Sequence, residues 1–107
     1  MFARLIQLQV RPEKNNEFKT QVAHEIETTV RKQPGLLEIV TLTSDSEPTH
    51  TTVITFWRNK QDAENYARNT ATQVQQRLRP FLQNDPKIET FNVDTTTGKK
   101  IATASAA

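Results

Sequence analysis

Three short β-type runs in this chain are apolar on both faces, and that pattern narrows the folds open to it. Alternate residues of a strand point to opposite sides. Over Ala3 to Val10, Ile6, Leu8 and Val10 share one side, while Leu5 joins Gln7 and Gln9 on the other. Over Leu36 to Thr43, Leu37 and Ile39 oppose Leu36, Val40 and Leu42. Over Thr51 to Arg58, Val53 and Trp57 oppose Ile54 and Phe56. A sheet with one wet face alternates apolar and polar residues instead. Each side of this sheet therefore needs a cover.

Helical segments can supply one of the two covers. Pro12 suits a first helical turn, where its missing N–H costs nothing. Phe18, Val22, Ile26 and Val30 then recur every fourth residue as a slowly drifting apolar stripe. The stripe ends at "RKQPG", where Pro34 pushes Gln33 out of helical geometry and Gly35 supplies a turn. "SDSEPTH", Ser44 to His50, is a turn by composition, so the second and third strands form a hairpin. Asn59 is a good N-cap, and Asp62 lies in the first turn of a second helix. Ala63, Tyr66, Ala67, Thr70, Val74 and Leu78 make its apolar face, and Pro80 ends it. Lys87 to Val93 reads as a fourth strand.

The order βαββαβ predicts an α+β, ferredoxin-like antiparallel sheet with two helices on one face. The second apolar face is then left for another subunit, which predicts a homodimer joined sheet to sheet. Residues 1–94 form the expected domain. The tail 95–107 is small, polar and low in complexity, and is expected to be mobile or to lie as an arm on a partner.

Composition removes several function classes. The chain has 107 residues, 35% of them hydrophobic, and a net charge of +2. Its basic residues are scattered rather than clustered, so no nucleic-acid partner is expected. There is no Cys, which excludes disulfides, thiol nucleophiles and Cys-ligated zinc. His24 falls off the apolar stripe and His50 lies at the hairpin, far apart and without carboxylates at ligand spacing, so no metal site is expected. No apolar run approaches the ~20 residues of a membrane span, and no signal peptide is apparent. A cytoplasmic protein with no membrane partner is the expectation. Glu38 interrupts an apolar strand face; an inward charge on an edge strand discourages edge pairing.

The stretches "QPGLLEIV" and "TFWRNKQDAENYARN" resemble the antibiotic biosynthesis monooxygenase domain. Trp57 matches the family's Trp, Asn59 stands where Ser is common, Ala63 matches a helical Ala, and Tyr66 stands where many members have His. The resemblance covers about Met1 to Val93 and implies a dimeric α/β barrel. It implies a cofactor-free monooxygenase acting on an electron-rich phenol, quinol or polycyclic aromatic. The haem-degrading branch is less similar: it uses an Asn on strand one and a His on the second helix. Here the first strand has no Asn, and no His follows His50.

On this reading Trp57 and Tyr66 are the candidate catalytic residues and Arg77 the candidate substrate-binding residue, with no cofactor. Trp57 offers an indole N–H, Tyr66 a phenol that donates or relays a proton, and Arg77 a guanidinium for a phenolate or carboxylate. Each has a plainer role: Trp57 as a core plug, Tyr66 as a rim packing residue, and Arg77 with its stem over the core and its head in water. The alternative function is a non-enzymatic dimeric module that binds a small aromatic ligand or a protein.

Overall fold

The period-two runs become strands β1 (Phe2–Gln9), β2 (Leu36–Thr43), β3 (His50–Trp57) and β4 (Lys87–Asn92). A computed structural model describes residues 1–94 of the chain; the tail expected over 95–107 lies outside the described residues. The strands form one antiparallel sheet in the order β2-β3-β1-β4. The helical segments pack on one face, so the fold is α+β and ferredoxin-like, as expected.

Register assigns the two faces. Phe2, Arg4, Ile6 and Leu8 of β1 lie beside Trp57, Thr55, Val53 and Thr51 of β3, under the helices. Leu5, Ile54 and Val40 form a row across the opposite, open face. Leu42 and Phe91, also on that face, are 48% and 42% exposed. The expectation for Leu36 needs correcting. A bulge between Leu36 and Glu38 sets Leu36 opposite Trp57, where it packs against the buried core, and Glu38 opposite Phe56. The extra residue is Leu37, and it flips every side chain before it to the other face.

The first helical stretch is composite. A 3-10 turn at Pro12–Lys14 leads through α1 (Asn15–Glu17) and a π turn at Phe18–Val22 into α2 (Ala23–Arg31). The wide π turn buries both Phe18 and Val22. The second helix is two helices, α3 (Lys60–Asn69) and α4 (Ala71–Leu78). Thr70 breaks the run at φ −127° and ψ −34°, and its hydroxyl donates to Gln33 Oε1 at 3.2 Å. Past the break Ala71, Val74 and Leu78 are buried, whereas Ala67 before it is exposed rather than in the expected apolar face. Pro80 ends α4 in a 3-10 turn, Arg79–Phe81.

Two corners hold α3 in place. Asn59 caps it, accepting from the Asp62 N–H at 2.9 Å. Pro34 and Gly35 take the central positions of a turn closed by the Leu36 N–H on the Gln33 carbonyl at 3.3 Å, with Gly35 at φ +84°. A positive φ at that position belongs to glycine. A Cβ there would also collide with the Asp62 side chain. The Gly35 carbonyl accepts from the Arg58 N–H at 2.8 Å, tying the start of β2 to the end of β3.

The core divides into two packed clusters. One gathers Leu8, Val10, Phe18, Val22, Leu78 and Phe81; the other gathers Phe2, Val30, Ile39, Trp57, Tyr66 and Ala71. Ile26 and Val53 touch both clusters and mark the seam between them.

Candidate functional site

A cavity opens at that seam, between the helix-covered face of the sheet and the helices above it. Its volume is about 50 Å³. Leu8, Phe18, Ile26 and Val53 give it apolar walls, and Arg4, Glu27, Tyr66 and Gln75 are among its polar members. That is about a third of the roughly 150 Å³ of an apolar cavity that takes a benzene ring. Two outer recesses flank it. One, of about 200 Å³, shares Arg4 and adds Lys60, Glu64 and Thr90. The other, of about 180 Å³, shares Tyr66 and adds Gln33, Asp62, Asn65 and Asn69.

The structure brings two of the three candidates together. The Trp57 and Tyr66 rings lie 5.2 Å apart at 31°. Trp57 is completely buried, and its indole N–H donates to Thr55 Oγ1 at 2.8 Å. It stands behind Tyr66 and is absent from the cavity wall. Tyr66 lines the cavity and is buried rather than at the rim. Among the described residues no hydrogen bond is made to its hydroxyl.

Arg77 lies elsewhere. Its Nε donates to Glu25 Oε2 at 2.7 Å on the surface, and its guanidinium lies 5.7 Å from the Phe81 ring centre. Extrapolation at about 100° per residue from Tyr66 to Arg77 assumes one continuous helix, and the break at Thr70 voids that assumption. His24 is exposed on α2, His50 is half-buried at the start of β3, and no group of three or more metal-ligating side chains forms among the described residues.

Two further residues join the cavity without having been singled out in the sequence. Arg4 is only 8% exposed, and its guanidinium sits 5.4 Å from the Tyr66 ring centre. Its signal was available: a charge in step with Phe2, Ile6 and Leu8 on the covered face of β1. Glu27 accepts from Arg31 at 2.9 Å and is the one carboxylate in the cavity wall among the described residues. It lies one residue from Ile26, at the edge of the helix stripe, where sequence patterning does not separate mouth from surface.

Burial sets the electrostatics. Desolvation pushes the Tyr66 phenol above its ordinary value, with Arg4 opposing in part. Desolvation also lowers Arg4, with Tyr66 opposing. A raised folded-state value for Tyr66 means its contribution to stability is complete below about pH 10 and fades as pH climbs above that. Because Tyr66 is the chain's one tyrosine, tyrosinate absorbance near 295 nm should titrate above pH 10, and Tyr66→Phe should lose stability less steeply there. The difference is bounded by about 1.4 kcal/mol per pH unit. A midpoint at or below 10 contradicts it.

An antiparallel sheet roofed on one face by broken helices defines a small α+β protein of the ferredoxin-like class. The family model described as antibiotic biosynthesis monooxygenase matches residues 1–77. The chain belongs to that family. No curated protein matches it in sequence. Among solved structures, SnoaB of Streptomyces nogalater, a cofactor-independent oxygenase solved as a point mutant, is similar at TM-score 0.78 and 14% identity, covering 92% of this chain and 97% of that one. A conserved protein from Methanosarcina mazei superposes at TM-score 0.75 with 18% identity, covering 86% and 92%. A structure described as an antibiotic biosynthesis monooxygenase gives TM-score 0.76 and 14% identity, covering 89% and 100%. At these identities the likeness is one of fold. No helix among the described residues is long and apolar enough to cross a membrane.

Proposed function

We propose that this protein is a cofactor-independent monooxygenase acting on an electron-rich phenol, quinol or polycyclic aromatic. The observation that carries the reading is the apolar seam cavity, walled by Tyr66 and by a single carboxylate, Glu27. Such a substrate is its own electron source. Glu27 takes a proton from it, the resulting anion passes an electron to O2, and the radical pair joins to form a C–O bond. The peroxide is protonated and loses water, leaving a carbonyl. A hydroquinone plus O2 thus gives a hydroxyquinone plus water, with no added reductant. The protein's share is desolvation, orientation and proton handling. Among the described residues the Tyr66 hydroxyl has no hydrogen-bond partner, so it is free to donate to a substrate oxygen, while Trp57 backs its ring.

The cavity must widen to admit a ring. Phe18 of the π turn and residues on both sides of the Thr70 break line it, so the irregular points of both helical stretches lie on its roof. π turns and helix breaks are common where a fold must give. We also propose that the open face pairs with that of a second copy, giving a homodimer, because helices leave Leu5, Val40, Leu42, Ile54 and Phe91 without cover.

Oxygen uptake with a panel of hydroquinones and anthrones tests the chemistry. Turnover should fall about 100-fold in Glu27→Gln and about 10-fold in Tyr66→Phe, with melting unchanged. No uptake with any member of the panel defeats the reading. Tyr66, standing where many members of the family have His, favours one rival, a dimeric module that binds a small aromatic ligand or a protein without reaction. Ligand-induced thermal stabilisation without oxygen consumption would establish that rival.

A further inference from the structure

We infer that the seam cavity holds its ligand in the ionised form and that Arg4 holds the negatively charged oxygen. This rests on the cavity being the ligand site, and it names a residue and a charge state for that site. Phe2, Ile6 and Leu8 share the covered face of β1 with Arg4, so the guanidinium is embedded in an otherwise apolar row. Among the described residues it forms no ion pair and donates no hydrogen bond. Its recorded neighbour is the face of Tyr66. A guanidinium carries five N–H donors, and leaving a charge buried without a partner is costly.

Burial lowers the Arg4 guanidinium from its ordinary value, with Tyr66 opposing. Proteins keep such a group where the partner arrives from outside, since a cation already positioned on the cavity wall needs no rearrangement to meet an anion. The planar fork suits an oxygen anion on a flat ring, namely a phenolate, an enolate or an aryl carboxylate. The apolar walls select the ring; Arg4 selects the ionised form. Charge on the ring oxygen also makes the ring a better electron donor, so the residue that binds the anion favours the state that O2 can attack.

The test uses a pair of probes that cannot be oxidised further: 2-hydroxy-1,4-naphthoquinone, an anion at neutral pH, and its neutral methyl ether. Titration calorimetry at pH 7.5 on the full chain reads both affinities. The parent should bind the anion about 10- to 100-fold tighter than the ether, the range of a charge-assisted hydrogen bond. Arg4→Met should erase that ratio to within about two-fold, and Arg4→Lys should keep part of it. Arg4→Met should also melt no lower than the parent, because it removes an unpaired buried charge while keeping a similar stem. Equal binding of both probes by the parent, a ratio that survives in Arg4→Met, or no binding of either probe at millimolar concentration overturns the inference. So does a lowered melting point in Arg4→Met, which would reveal a structural partner. Anion selectivity through Arg4 without oxygen uptake would defeat only the monooxygenase reading. Uptake with charge-blind binding would defeat only this one.

Discussion

Replacing Trp57 by Ala should lower the unfolding free energy by about 3–5 kcal/mol, the range for truncating a large buried aromatic. Trp57 is fully buried, lies opposite Phe2 in the sheet register, stacks against Tyr66 and bonds Thr55. Deleting the ring opens a void where β3 meets α3 and leaves the Tyr66 ring without its backing. A small domain has about 5–15 kcal/mol in all, so the variant should stand near its folding limit. Trp57→Phe separates packing from hydrogen bonding. It keeps an aromatic wall and loses one N–H, while the Thr55 hydroxyl still donates to the Arg4 carbonyl at 3.3 Å. Its cost should be about 1 kcal/mol. Urea unfolding followed by far-UV circular dichroism measures both. A loss below about 1 kcal/mol in Trp57→Ala would show that the ring is not the centre of this packing.

Ile54→Lys should convert the protein from dimer to monomer at micromolar concentration. Ile54 lies on a central strand, flanked directly by Leu5 and Val40 on the open face. A lysine there sets a charge against its own copy across a two-fold contact and strands it away from water. Its side chain points away from the helices, so the fold itself should be kept. Sedimentation equilibrium should give twice the 12.2 kDa chain mass for the parent and the single mass for the variant. A parent that sediments as a monomer defeats the dimer, and a variant that stays dimeric moves the contact elsewhere.

Strand positions were readable from alternation because each strand is flanked by strong punctuation. Pro34 and Gly35 precede β2, "SDSEPTH" separates β2 from β3, and Asn59 closes β3 into α3. What alternation cannot show is an added residue. The bulge at Leu37 leaves composition unchanged while reversing the side on which Leu36 lies. The same holds for the helices, where a spacing of four fits an α stripe as well as a stretch containing a π turn. The Thr70 break has no Gly or Pro to announce it, so helical spacing does not carry the direction of Tyr66 on to Arg77. Trp57 and Tyr66 stood out in the sequence as its only Trp and Tyr, but that one backs the other was not legible there. Arg4 was hidden in plain alternation, because a lone charge on a strand reads as surface until the opposite strand shows which side is covered.

At Gly35 the chain has no room for a methyl group, since Asp62 already occupies that space. Asp62 precedes Tyr66 by one helical turn, and Pro34, Asp62 and Tyr66 share the wall of one outer recess. Any side chain at position 35 would press on Asp62, in the first turn of the helix that carries Tyr66, so the Pro34–Gly35 corner and the seat of that helix are set together.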